Sequence, residues 1–211
     1  MASRRAETKK AAPTKGAKPA KAPAAKPAKP PKPAKAPAAK AGTSDKPSGR
    51  ISPGAPGGPG PGDRAPTFSL PDHSGAVVTS ASLAGKPYVL YFYPKDDTPG
   101  CTREACGFRD EGKTLGSLGA RVLGVSPDSP ASHTRFREKY GLGFPLLSDA
   151  ERTLAKAYGV WVKKKNYGRE YMGIERSTFL VDARGKIAKV FRNVRVDGHV
   201  AAVLEALRAL G

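Results

Sequence analysis

The first 62 residues are a tract of Ala, Pro, Lys and Gly in which Ile51 is the only large aliphatic side chain apart from Met1. A segment with so little to bury cannot build a core, and prolines every few residues rule out a continuous helix. Folding is therefore confined to residues 63–211, about 149 residues, the usual size of one domain.

Charge divides along the same line. Residues 1–62 hold 14 basic and two acidic residues, Glu7 and Asp45, for a net +12, whereas residues 63–211 hold 23 and 16, for +7. Between residues 11 and 40 lysine recurs every three to five positions, which favours extended, solvated backbone and predicts a disordered tail. In composition this tail resembles the Lys-Ala-Pro tails of linker histones and of some bacterial nucleoid proteins. Ammonium groups so spaced can each reach a phosphate and release counterions, giving sequence-independent, salt-sensitive binding to DNA or RNA. No aromatics lie between the lysines, so base stacking is not available. A solvated tether is the other reading of the same pattern. GAPGGPGPG, residues 54–62, reads as a flexible linker into the domain.

No window approaches the run of roughly 18 apolar residues that spans a bilayer. No apolar stretch of the kind a secretory leader needs follows Arg4 and Arg5. The expectation is a soluble, cytoplasmic protein without a membrane partner.

In the domain, Phe68–Leu70 and Ala76–Thr79 flank PDHSG and predict a short hairpin. Tyr88–Tyr93 (YVLYFY) is a continuous β-prone run of the sort buried on both faces of a sheet. RVLGVS, FPLLS, STFLVD and KIAKVF continue as strands. SHTRFREKYG reads as a helix with a Gly stop, ERTLAKAYG as another, and HVAAVLEALRAL as a closing amphipathic helix. Strands separated by helices predict an α/β, three-layer sandwich.

The chain's two cysteines, Cys101 and Cys106, lie five apart behind the YVLYFY run. Ahead of them Thr98 suits an N-cap, Pro99 the first helical position, and Gly100 a close approach of backbone to a ligand. Cys101 then falls in the first turn of a helix, where unpaired amides and the positive end of the dipole favour thiolate over thiol. In an intact helix, residues five apart are rotated by about 140° and their Cα atoms lie roughly 8.7 Å apart. A disulfide tolerates up to roughly 7 Å. The pair can bond only if the helix unwinds locally. A zinc site would want shorter cysteine spacing and further ligands. His73, His133 and His199 are scattered and read as ordinary surface or loop residues, so no metal is expected.

PKDDTPGC, with Pro94, Thr98 and Cys101, matches the PxxxTxxC signature, and the chain resembles the peroxiredoxins. The second cysteine five residues on is similar to the Q-type, bacterioferritin-comigratory subfamily. FPLLSD, YGVW and GIERSTFLVD recur in the order of that subfamily, over about residues 63–211. The resemblance implies a thioredoxin-like fold with a central mixed sheet, and a thiol peroxidase needing no cofactor, metal or haem. It makes Cys101 the peroxidatic nucleophile, attacking hydrogen peroxide or an organic hydroperoxide to become a sulfenic acid. Thr98 and Arg176 would hold the thiolate and the peroxide oxygens, and Pro94 would shield the pocket. Cys106 would resolve the sulfenic acid into an intramolecular disulfide, recycled by a thioredoxin-like dithiol. Members of the subfamily are often monomeric, and a monomer is expected.

Lys163–Lys165 reads as a solvated loop, with Trp161 and Tyr167 in a loop that borders the site or packs on the sheet. Asp72, Asp96, Asp97 and Asp182 read as turn or strand-end residues. Two other functions compete. A thioredoxin-type disulfide oxidoreductase would want CxxC where this chain has CxxxxC. A nucleic-acid-associated protein would use the domain only as a platform for its tail.

Overall fold

The computed structural model describes residues 57–166 and 168–210. Residues 1–56, with most of the basic tail, and Tyr167 lie outside the described residues.

In chain order the elements are strands β1 (Ser69–Pro71) and β2 (Val77–Thr79), a 3-10 turn (Ser80–Leu83), β3 (Tyr88–Phe92), helices α1 (Pro99–Asp110) and α2 (Gly112–Ser117), and β4 (Arg121–Ser126). There follow α3 (Pro130–Tyr140), β5 (Leu146–Ser148), α4 (Thr153–Ala157), β6 (Trp161–Asn166), β7 (Arg169–Ile174), β8 (Ser177–Val181), β9 (Ile187–Phe191) and α5 (His199–Arg208).

Five strands form one mixed sheet in the order β5-β4-β3-β8-β9. β3, β4 and β5 run parallel, while β8 is antiparallel to β3 and β9 to β8. β3 is the hub, paired on both edges, and every one of its residues is buried. Its side chains divide by alternation. Tyr88, Leu90 and Phe92 join one core with Leu83, Leu154, Ala155 and Tyr158, beneath the β1–β2 hairpin and α4. Val89, Tyr91 and Tyr93 join the other with Ala105, Phe108, Phe136, Val203 and Leu207, beneath α1, α3 and α5. Two faces covered at once explain why the sequence shows a continuous apolar run here and not an alternating one. The thioredoxin-like three-layer arrangement follows.

The expected hairpin forms, with Leu70 opposite Val78 and the Asp72 carboxylate accepting from the Ser74 and Ala76 amides in the turn. α3 ends at Gly141, which takes the left-handed conformation (φ 61°). Three readings need correction. Lys163–Lys165 and Trp161 lie in β6 and not in a loop, and β6 pairs with β7 as a separate two-stranded sheet. His133 and His199 are buried, 0% and 5% exposed, on α3 and at the start of α5. Residues 57–62, the end of the expected linker, are packed on the domain: Gly58 lies against the Tyr158 carbonyl and the Gly62 amide donates to the Ile187 carbonyl at 2.7 Å.

Gly124 in β4 lets Tyr91 cross the sheet. A Cβ there would lie 2.7 Å from the Tyr91 hydroxyl and 2.8 Å from Leu146 Cδ2, both in packed core. Gly124→Ala is expected to destabilise the domain by about 1–3 kcal/mol, read as a lower urea midpoint at unchanged m-value.

Candidate active site

The chain leaves β3 through Pro94 and Lys95 and enters α1 at Thr98, with Pro99 in the first turn as expected. α3 anchors this connection. The Tyr93 hydroxyl donates to Asp96 Oδ1 at 2.8 Å, and His133 Nδ1 lies 2.9 Å from Asp96 Oδ2. The Asp96 amide donates to Asp128 Oδ2 at 2.9 Å. Asp97, held at a positive φ of 54°, accepts from Lys139 Nζ at 2.7 Å and from the Tyr140 hydroxyl at 2.5 Å. Asp96 is thus a buried tie to α3, and His133 its partner, where the sequence offered a turn residue and a surface histidine. Asp182 is a turn residue as expected, accepting from the Arg184 and Lys186 amides.

Cys101 lies in the first turn of α1 and is 1% exposed. Arg176, in the connection from β7 to β8, donates from Nη2 to its sulfur at 3.2 Å. The other terminal nitrogen of Arg176 binds Glu104, a carboxylate with no exposure at all. The helix puts Cys101 and Glu104 three apart on its buried stripe with Ala105 and Phe108, so one guanidinium reaches both. Gly100 makes this possible, since a Cβ there would sit 3.2 Å from Arg176 Nη2. The close approach expected of Gly100 is therefore to Arg176.

Burial pushes the Glu104 carboxyl up to about 7, against the pull of Arg176. Burial also works against the Arg176 charge, yet Glu104 and then Cys101 raise its pKa above the ordinary value. His199 completes the floor. Its Nε2 lies 2.8 Å from the Thr178 hydroxyl and 4.0 Å from Glu104 Oε1. Burial, and then Arg176, depress it to about 4, so it is neutral at pH 7.

Of the five residues read from the sequence, the structure joins Cys101 and Arg176 directly. Thr98 sits at the N-cap position, but its hydroxyl donates to the Lys95 carbonyl at 3.1 Å and accepts from no helix amide. Pro94 is exposed at the end of β3. Cys106 is half-buried on the other side of the same unbroken helix, and both thiols are free. Glu104 escaped the sequence reading; its only signal was its place, three residues from Cys101, on the stripe continued by Ala105 and Phe108. Lys164 also gives a direction: its half-buried ammonium, which donates to the Ile174 carbonyl at 2.6 Å, is lowered chiefly by burial.

Residues 61–190 match the AhpC/TSA family model. The chain belongs to the AhpC/TSA family. Peroxiredoxin Bcp of Bacillus subtilis is 52% identical over 147 residues, 70% of this chain and 94% of that protein. Peroxiredoxin Bcp of Escherichia coli is 46% identical over the same length and shares. Among solved structures, Xanthomonas campestris peroxiredoxin Q matches with 44% identity and a TM-score of 0.65, over 67% of this chain and 90% of that one. Mycobacterium tuberculosis BcpB matches with 37% identity and a TM-score of 0.65, over 72% and 98%. All these relatives cover the folded domain, and this peroxiredoxin is of their bacterioferritin-comigratory, or Q, type.

Replacing Arg176 by lysine leaves a cation that cannot hold sulfur and carboxylate in one plane. Arg176→Lys is expected to lower kcat/KM for hydrogen peroxide by about 10²-fold, measured by stopped-flow competition. Neutral His199 contributes stability that is full above pH 6.5, its ordinary pKa, and is lost as pH falls toward about 4. Between those values the stability difference between the wild type and His199→Gln is expected to move steadily in favour of the variant on acidification, measured by urea titrations across that range.

Proposed function

We propose that this peroxiredoxin, a thiol peroxidase, uses Cys101 as its peroxidatic sulfur and Cys106 as its resolving one. The observation that carries the assignment is the Arg176 contact to Cys101 Sγ at 3.2 Å, backed by the buried Glu104. Attack by the Cys101 thiolate on the near oxygen of ROOH forms the S–O bond and breaks O–O. The sulfur becomes a sulfenic acid and the far oxygen departs as RO⁻, taking up a proton to leave as ROH. Charge grows on that far oxygen, and the Arg176 guanidinium with the first amides of α1 is the preorganised positive end available to it. Thr98 and Pro94 complete the rim in this reading, with the Thr98 hydroxyl free to exchange its Lys95 carbonyl for a peroxide oxygen.

Hydrogen peroxide and alkyl hydroperoxides are the substrates. One structural relative, the Xanthomonas campestris bacterioferritin comigratory protein, is described for alkyl peroxide reduction. After α1 unwinds, the Cys106 thiol attacks the Cys101 sulfenic sulfur, releasing water and forming the intramolecular disulfide. A thioredoxin-like dithiol then attacks that disulfide, passes through a mixed disulfide and leaves oxidised, restoring both thiols. No cofactor takes part, and a reducing, cytoplasmic compartment and a monomeric protein suit the cycle. No helix among the described residues is long and apolar enough to cross a membrane.

The division into a basic tail, residues 1–62, and a peroxidase domain, residues 63–211, adds a second proposal: the tail moors the enzyme to nucleic acid. Its net +12 supports this reading.

Cys101→Ser is expected to abolish peroxide consumption with thioredoxin, thioredoxin reductase and NADPH. Cys106→Ser should complete one turnover and then recycle poorly, and a variant that recycles at the normal rate would show that Cys106 is not the resolver. Deleting residues 1–56, which carry all the basic charge of the tail and leave the packed residues 57–62 in place, should release the enzyme from DNA–cellulose at low salt without altering peroxidase activity; undiminished retention would remove the mooring role.

A further inference from the structure

The β6–β7 ribbon has no role in the chemistry above, yet it is built at the site. Among the described residues its strands pair only with each other, from Trp161 opposite Ile174 to Asn166 opposite Arg169. An isolated two-stranded ribbon is marginal in water, and this one is unusually open. Arg169, Glu170, Tyr171 and Met172 are all exposed, so β7 shows solvent both faces along that stretch. Tyr171 at 49% and Met172 at 47% are two of the four large exposed hydrophobics among the described residues.

The charge on the ribbon is one-sided. Lys163, Lys165 and Arg169 face solvent, and the single acid, Glu170, is held by Lys163 at 2.6 Å. The inner lysine, Lys164, ties β6 to the Ile174 carbonyl, and two residues beyond Ile174 the Arg176 guanidinium meets the Cys101 sulfur. The open ribbon thus runs directly into the residue that contacts the Cys101 sulfur.

A hydroperoxide of a few atoms needs no such surface, but a protein that must bring its own thiols to the Cys101–Cys106 disulfide does. We propose that the β6–β7 ribbon is the docking surface for the dithiol protein that reduces the oxidised enzyme, a partner presenting an acidic rim around an apolar patch. This rests on the assignment of Cys101 and Cys106 above. Tyr171 and Met172 supply the adaptable apolar contact common at interface centres, and the surrounding cations steer an acidic partner. In the exchange, a partner thiolate attacks one sulfur of the disulfide and expels the other as thiolate. The partner's second thiol then displaces the mixed disulfide, so one disulfide leaves on the partner and two thiols remain here.

The test compares two reductants in steady state with saturating hydrogen peroxide: thioredoxin with its reductase and NADPH, and dithiothreitol. Two variants are used, Tyr171→Ala with Met172→Ala, and Lys163→Gln with Lys165→Gln and Arg169→Gln. Both are expected to raise KM for thioredoxin by about fivefold or more while leaving dithiothreitol-supported turnover unchanged. The charge variant should also lose most of the wild type's decline in thioredoxin kcat/KM with added salt. An unchanged thioredoxin KM in both variants overturns the proposal. So does an equal loss with both reductants, or a sedimentation difference between the variants and the wild type with unchanged KM, which would mark the ribbon as a self-association surface. A wild type that consumes no peroxide with dithiothreitol would instead overturn the underlying assignment of the thiols.

Discussion

One guanidinium shared between a sulfur and a buried carboxylate is the interaction on which the reduced enzyme depends. Arg176 comes from the connection between β7 and β8, so its reach to Cys101 requires the central sheet, the β6–β7 ribbon and α1 to be in register at once. Glu104 fixes the plane of that guanidinium from the inside of the helix. Its burial is costly, as its upward shift shows, and removing Arg176 would leave it as an unpaired acid in the core. Among the described residues the second oxygen of Glu104 has no hydrogen-bond partner, and neutral His199 stands near it without bonding. The site is therefore held by one strong tie and not by a redundant network.

In the proposed cycle α1 has two incompatible duties. As an intact helix it sets Cys101 in its first turn and turns Glu104 inward beneath Arg176. As an intact helix it also holds Cys106 on a different side, too far from Cys101 to bond. The ends of the segment are secured independently of its middle. Asp96 and Asp97 tie the entry to α3, and Arg109 near the exit donates to the Tyr140 carbonyl at 2.7 Å. Unwinding between those anchors would bring the sulfurs together without releasing the rest of the helix from the sheet.

Much of this was legible in the sequence wherever one physical demand dominated. YVLYFY showed a strand buried on both faces, PDHSG a turn, Gly141 a helix stop, and Thr98-Pro99 a helix start. What stayed hidden were polar groups whose surroundings come from distant segments. An acid within a helix ordinarily faces solvent, so Glu104 disclosed its inward place only by its offset from Cys101. His133 and His199 carry no local mark of burial, because their partners, Asp96 and Thr178, lie 37 and 21 residues away. Three consecutive lysines gave no strand signal, since the ribbon that holds them has almost no core to alternate against.

The most direct measurement is amide hydrogen exchange of α1 in the reduced chain and after one equivalent of hydrogen peroxide, with crosslinking of the two cysteines followed by mass spectrometry on the same samples. In the reduced state the amides of residues 102–106 should be protected. They should lose protection together as the Cys101–Cys106 crosslink appears, and regain it on reduction. A crosslink formed while those amides keep their protection would contradict the claim that the helix must open for the thiols to meet.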